Sequence, residues 1–264
     1  MNDANTLPCR VCGTDSRRVF DAPLLGRRVA YHDCPMCGHF QTETPYWLSE
    51  AYASPINAFD TGILWRNQLN LQRVVMTLLA IGRLRGGRVL DHAGGYGILV
   101  RLLRDAGIDA RWQDRYSPNL LARGFEADHG RFDLLTAFEV FEHLVHPLDD
   151  LRAMLDRAPA VLLSTELIRG TAPPTAGWWY LGGEHGQHVG FFRPRTLQWM
   201  ADALGCHVAS DGRDLALFSR SAVPRAWRRL QRLRRAAPWL ARQLLKPLTM
   251  PDHDALRRRA TGGP

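Results

Sequence analysis

A short apolar strand that runs straight into glycines and then into a helix is the strongest constraint in this chain. Residues 88–97 read Arg-Val-Leu-Asp-His-Ala-Gly-Gly-Tyr-Gly, and an apolar pattern of helical period follows over 98–105. Two strands joined through a helix run parallel, because the crossover returns the chain to the same end of the sheet. The alternation continues: strands are predicted at 110–113, 132–138 and 160–164, helices at 148–155 and 194–204, and paired strands at 207–209 and 215–219. Before the glycine turn, Leu64, Leu69, Leu71, Val74, Val75, Leu78, Leu79 and Ile81 share helical spacing and predict a covering helix over 63–84. The chain is therefore expected to be α/β, with a doubly wound sheet.

Four of the five cysteines fall outside that alternation, in two Cys-x-x-Cys-Gly turns: Cys9 and Cys12, then Cys34 and Cys37, with 21 residues between the pairs. Each turn lets two thiolates face one cation, the following glycine lets backbone amides approach the sulfurs, and two turns complete a tetrahedron. These four residues are expected to hold one structural Zn2+. Two disulfides are the alternative, and they need an oxidising compartment that the polar start MNDANTLPCR does not address. Cys206 stands alone at a helix-to-strand junction and is read as a small buried apolar side chain. The expected location is cytoplasmic, since no apolar run is long enough for a membrane span.

The formal charge of +8 belongs to one end of the chain. Residues 221–264 carry eleven Lys and Arg against Asp252 and Asp254, a local excess of +9, which leaves −1 for everything before them. A nucleic-acid-binding body would spread its basic residues over the fold, so the charge partition argues against that partner. Within 225–245, Trp227, Leu230 and Leu233 can share a face flanked by arginines, and Pro238 kinks or divides the helix. Such a segment suits peripheral contact with an anionic membrane at its inner face, or packing on the body as a solvated helix.

Three stretches bear on a ligand. Gly94, Gly95 and Gly97 open the backbone of the first turn to close approach by a bound molecule. About twenty residues on, the second strand ends in Trp112-Gln113-Asp114, whose carboxylate can accept hydrogen bonds from both hydroxyls of a ribose or can cap a turn. The third stretch is Phe132-Asp-Leu-Leu-Thr-Ala-Phe-Glu-Val-Phe-Glu-His143. Together they resemble the class I S-adenosylmethionine-dependent methyltransferases over roughly residues 60–220.

The resemblance implies a seven-stranded Rossmann-like methyltransferase sheet, with a small N-terminal zinc module at 1–50, a catalytic domain at 51–220 and basic C-terminal helices at 221–264. It implies that Asp91 and Gly95 line the methionine side of S-adenosylmethionine, that Asp114 holds the ribose, and that Phe125 and Glu126 lie near the adenine. Phe138 and Glu139 would complete the pocket. Ala93 stands where the family commonly has glycine, which is tolerable if its φ stays negative. Glu139, Glu142 and His143 form a titratable trio, for which support of the loop is the plainer account.

The segment 166–192 is long, aromatic and without a regular pattern, and it follows the fifth strand, where open α/β sheets bind ligands. It carries Trp178, Trp179, Tyr180, Glu184, His185 and His188. Tyr180, Glu184, His185 and His188 are the candidates for aligning an acceptor and removing its proton. The pair Glu184-His185 resembles a segment of sugar C-methyltransferases that also carry an N-terminal zinc module, which implies His185 as base beside Glu184. Packed, hydrogen-bonded histidines are the structural alternative. The expected partner is a small-molecule or carbohydrate acceptor methylated on oxygen or carbon. The rivals are a nucleic-acid-binding protein that uses the zinc knuckle and arginine tail, and a nicotinamide-dependent oxidoreductase.

Overall fold

A computed structural model describes residues 5–53 and 60–261. In chain order its elements are β1 (Thr6–Pro8), β2 (Asp15–Leu24), β3 (Arg27–Asp33), β4 (Phe40–Thr42), α1 (Leu48–Ala51) and α2 (Ile63–Ala80). There follow β5 (Arg88–His92), α3 (Ile98–Asp105), β6 (Asp109–Gln113), β7 (Leu134–Phe138), α4 (Pro147–Arg157) and β8 (Ala160–Ser164). The chain closes with β9 (Gly190–Phe191), α5 (Pro194–Ala203), β10 (His207–Ser210), β11 (Leu215–Ser219), α6 (Trp227–Arg232), α7 (Ala237–Leu244) and α8 (Thr249–Thr261). The predicted α/β alternation from β5 to β11 is present. The sheet it forms has six strands among the described residues, in the order β10-β11-β8-β7-β5-β6, one fewer than expected. β5 pairs in parallel with β6 on one side and β7 on the other, so the strand order reverses at its C-terminal end, where the glycine turn sits. The covering helix stops at Ala80, because Gly82 takes a left-handed φ of 70°.

The chain divides into two compact units, each drawn from three stretches. The first comprises residues 1–55, 138–156 and 163–222. Its N-terminal part forms a second sheet, antiparallel throughout, in the order β1-β2-β3-β4-β9. No strand was expected there; β4 and β9 are too short to show a period. β2 and β3 meet in a two-residue turn, Leu25-Gly26, with φ of 49° and 72°, the geometry that matches the twist of a hairpin. The inner residues Leu24, Tyr31, Phe40, Trp47, Tyr180 and Phe191 form one apolar cluster, and Trp47 anchors it by donating from Nε1 to the Gly186 carbonyl at 2.8 Å. Buried aromatic rings of this size dominate core energetics. They also give the segment 166–192 a structure the sequence did not predict. It contains a 3-10 turn over Trp179–Leu181 and ends in β9, held edge to edge on β4.

The second unit comprises residues 56–137, 157–162 and 223–264. Its helix α2 buries Val74, Val75, Met76 and Leu78. Part of the basic tail packs within this unit. Trp227 is fully buried and donates from Nε1 to Thr77 Oγ1 at 3.1 Å, and Gln231 Nε2 donates to the Arg73 carbonyl at 3.1 Å and to Thr77 Oγ1 at 2.9 Å. The expected shared face of Trp227, Leu230 and Leu233 is corrected by this. α6 ends at Arg232, Leu233 is left exposed, and Gln231 takes the inward place because its amide meets α2 backbone. Pro238 lies in the first turn of α7 and so divides the helix as expected. Further on, buried Asp252 of α8 receives both Arg104 and Arg101, each at 2.7 Å. Among the described residues no helix is long and apolar enough to cross a membrane.

Candidate active site

In the second unit, β5 delivers Asp91 to the mouth of the glycine turn and α3 leaves it from Gly97, a left-handed N-cap with φ 83°. A Cβ on Gly94 would lie 2.8 Å from Asp91 Oδ2 and 2.9 Å from Trp112 Cδ1, and one on Gly97 would lie 2.8 Å from the Ala122 Cβ. Only glycine fits at either place. Ala93, expected to keep a negative φ, instead has φ 55°. The Gly94 amide bonded to the Gln113 carbonyl at 3.1 Å fixes the chain just beyond it, and the left-handed residue costs about 1–3 kcal/mol that the surrounding turn offsets.

Asp91 is buried, and Thr136 Oγ1 donates to its Oδ1 at 2.7 Å. Burial pushes its carboxyl up to about 7, against the pull of the Thr136 hydroxyl and with a further push from Asp114. Asp114 Oδ2 accepts from the Gly95 amide at 2.8 Å, and Oδ1 accepts from the amides of Tyr116 and Ser117 at 2.7 and 2.8 Å. The carboxylate thus caps the turn after β6 and braces the glycine turn. A carboxylate offers about four lone-pair positions, so one further acceptor position is left. Phe125 is buried with the Arg104 guanidinium 3.9 Å from its ring centre, whereas Glu126 is exposed and accepts from Asn119 Nδ2 at 2.8 Å. A turn open to backbone approach with two carboxylates beside it fits a ligand that carries an ammonium group and a diol.

In the first unit, Phe138 ends β7, and Glu139 follows at a left-handed φ of 54°. Ser164 fixes that conformation: its Oγ donates to Glu139 Oε1 at 2.5 Å, and its carbonyl accepts from the Glu139 amide at 3.1 Å. Three residues on, a 3-10 turn over Phe141–His143 turns Glu142 inward. The loop after β8 brings Tyr180, His185 and His188 to the same place. The His188 ring lies 5.0 Å from that of His143, 4.7 Å from that of His185 and 4.6 Å from that of Tyr180, centre to centre.

The hydrogen bonds sort these groups by role. His188 Nδ1 meets the Tyr180 carbonyl at 2.6 Å; a carbonyl only accepts, so Nδ1 carries the proton and Nε2 keeps its lone pair. The reverse holds for His185, whose Nδ1 accepts from the Gln187 amide at 3.1 Å, so its proton sits on Nε2. Burial lowers His188 to about 4 and also lowers His185, leaving both neutral near pH 7. Tyr180 is buried and bonded through its hydroxyl to Thr165 Oγ1 at 3.2 Å and the Glu166 amide at 3.1 Å; burial holds it well above 10, so it acts as a donor and not as a base. Glu184 is exposed. Glu142, which sequence reasoning assigned to loop support, is fully buried, and burial followed by the Glu139 charge pushes it up to about 8. The inward turn of the two neighbours Glu142 and His143 is a property of the 3-10 geometry and left no mark in residue spacing.

The four expected thiolate ligands also meet. Cys9 Sγ lies 3.6 Å from Cys37 Sγ, and Cys12 Sγ lies 3.4 Å from Cys34 Sγ. A tetrahedron with bonds of about 2.3 Å has edges of about 3.8 Å, so the donor set fits a zinc ion. Gly13 and Gly38, at φ of 75° and 76°, close the two turns by donating to the carbonyls of Cys9 and Cys34 at 2.8 and 3.0 Å. The mutual contact of Cys9 and Cys37 pulls the Cys9 thiol down and pushes the Cys37 thiol up.

A model of the methyltransferase domain matches residues 64–211, more than half of the chain. No curated protein matches. Among solved structures, TnmH is 16% identical with a TM-score of 0.44; the match covers 66% of this chain and 61% of TnmH, so the chain spans less than two thirds of that protein. Magnesium protoporphyrin IX methyltransferase (ChlM) from Synechocystis PCC 6803, with bound SAH, is 17% identical with a TM-score of 0.40, covering 65% and 92%. The methyltransferase domain of bacterial CtHen1-CN is 20% identical with a TM-score of 0.39, covering 58% and 98%.

Proposed function

We propose, from the premise that the chain belongs to the methyltransferase-domain family, that it transfers a methyl group from S-adenosylmethionine to an oxygen or carbon of a small acceptor. A sugar, a glycan or another hydroxylated metabolite suits the aromatic and polar mixture of the segment 166–192. The observation that carries this reading is the glycine turn with Asp91 and Asp114 at the C-terminal end of β5. When bound, S-adenosylmethionine supplies an electrophilic methyl group on a sulfonium.

What the chain contributes follows from its own groups. Asp91, when ionised, favours the cofactor's ammonium, and the remaining acceptor position of Asp114 suits one ribose hydroxyl. The adenine edge falls to Glu126 and the backbone beside it, with Phe125 supporting that loop from within. Among the four candidate catalytic residues, His188 has the lone pair that can take or share the acceptor's proton. His185 presents an N–H and orients the acceptor, with Tyr180 and Glu184 supporting the segment. The four cysteines hold a structural Zn2+, since four thiolates leave no open position. The residues of the tail that remain exposed, Leu233, Trp239 and the arginines, suit contact with an anionic membrane.

Incubation with S-adenosylmethionine and a panel of sugar and small hydroxylated acceptors, followed by S-adenosylhomocysteine release, tests the reading. Acceptor-dependent release supports it. Calorimetry that detects nicotinamide cofactor binding and no S-adenosylmethionine binding would overturn it.

A further inference from the structure

The cluster around His188 has a property that proton transfer alone does not explain. Glu142 is fully buried, yet neither carboxylate oxygen meets a donor with hydrogen-bond geometry. The hydroxyls of Tyr180 and Thr165 are near enough only to lower its pKa in part. His143 Nδ1 is buried and equally without a partner, and His143 Nε2 lies 3.9 Å from Glu142 Oε1. A buried carboxyl group without hydrogen-bond partners is costly whether ionised or neutral, so a packed core would have given it one.

Donor atoms of Glu142, His143 and His188 all lie within 4.8 Å of one another. Metal–ligand bonds of about 2.0–2.2 Å gather three donors at such a span after small side-chain shifts. His188 is already set as a ligand is set: Nδ1–H is given to the Tyr180 carbonyl, which fixes the tautomer and frees Nε2. We propose that Glu142, His143 and His188 bind one divalent first-row transition-metal ion, a second site distinct from the four-cysteine centre. Two imidazoles and one carboxylate are a borderline donor set that leaves coordination positions open. The open positions take an acceptor oxygen, whose proton becomes more acidic on the cation, so that with the ion bound His188 acts through it instead of taking the proton directly. That last step rests on the methyl-transfer reading; the binding of the ion does not.

The test is titration of Co2+ into full-length protein whose thiolate centre is loaded with zinc. Wild type is expected to take up one equivalent of Co2+, with an absorption spectrum that lacks the thiolate-to-cobalt charge-transfer band. Glu142→Gln, His143→Gln and His188→Gln are each expected to lose that equivalent while keeping the thiolate zinc and a cooperative thermal transition, which shows that they fold. His185→Gln is expected to keep it. No Co2+ uptake by folded wild type, or full uptake by the three variants, would overturn the site. Uptake without methyl transfer to any acceptor leaves the site standing and removes the proposed activity; methyl transfer at full rate by protein that holds the thiolate zinc and no second ion leaves the activity standing and overturns the ion's part in it.

Discussion

Two buried sets of charged and polar groups in this protein are built on opposite plans. In the second unit Arg104 gives its guanidinium to Asp252 and Asp109, each at 2.7 Å, and Asp252 also receives Arg101. Each charge has found its opposite within the unit. In the first unit Glu142 is buried between half-buried His143 and His188, and both carboxyl oxygens of Glu142 and Nδ1 of His143 meet no hydrogen-bond partner. The first set stabilises fully only when complete, since removal of one partner leaves a buried charge short of a counter-charge. The second is arranged for something the chain itself does not contain. The four thiolates stand with the second set, and Asp91, with Thr136 as a side-chain donor, stands between the two.

Substitutions can break this contrast at either end. The largest effect is expected for Cys34→Ser: structural zinc sites of this kind contribute about 10–16 kcal/mol of folding free energy, so the variant should lose its zinc and unfold at much lower temperature. Metal analysis beside a thermal melt decides it, and a zinc content in the variant equal to that of wild type would contradict the four-thiolate centre. Asp252→Ala should cost about 1.5–3 kcal/mol in chemical denaturation while leaving every metal equivalent in place, because Arg104 loses one of its two carboxylates and keeps Asp109. In the other unit His188→Ala should lower turnover about 10²- to 10⁴-fold with cofactor affinity unchanged. His185→Ala should cost less, since its Nδ1 is committed to the Gln187 amide. Steady-state kinetics on the two variants would sink this assignment if their order came out reversed.

Asp91 sharpens the middle of the comparison. Its carboxyl is raised from an ordinary value of 3.8 to about 7, so the folded protein binds that proton more tightly than the unfolded chain. The stability this group contributes is therefore full below about pH 4 and is lost as pH rises to about 7. Cofactor affinity should run the opposite way and fall by up to about tenfold per unit as pH drops below 7, because the neutral acid no longer favours an ammonium. Calorimetry across pH on wild type and Asp91→Asn checks this, with a flat profile expected for the variant. The smallest effect belongs to Asp114→Ala, at about 0.5–1.5 kcal/mol of cofactor affinity per lost ribose hydrogen bond. The same change removes three amide partners, so a melt must accompany the binding isotherm.

Much of the molecule was legible in sequence because the information was local. The strand, glycines and helix at 88–105 imposed the crossover. The two Cys-x-x-Cys-Gly turns placed their thiolates in pairs, and the charge count separated the tail from the body. Each of these depends on residues a few positions apart, where backbone geometry alone fixes the outcome. What tertiary structure alone decided lay between distant segments or in single torsions. His188 stands 45 positions after His143, and their meeting depends on aromatic packing around Tyr180 and Phe191. The partner that leaves Nε2 of His188 free is a backbone carbonyl, invisible to residue type. The left-handed φ of Ala93 is a cost absorbed by the turn around it, and Gln231 in place of Leu233 faces inward because a polar contact with α2 was available there. Periodicity and spacing describe what one element does; the pairing of buried polar groups is settled only when elements pack, because each unpaired donor or acceptor is then removed from water.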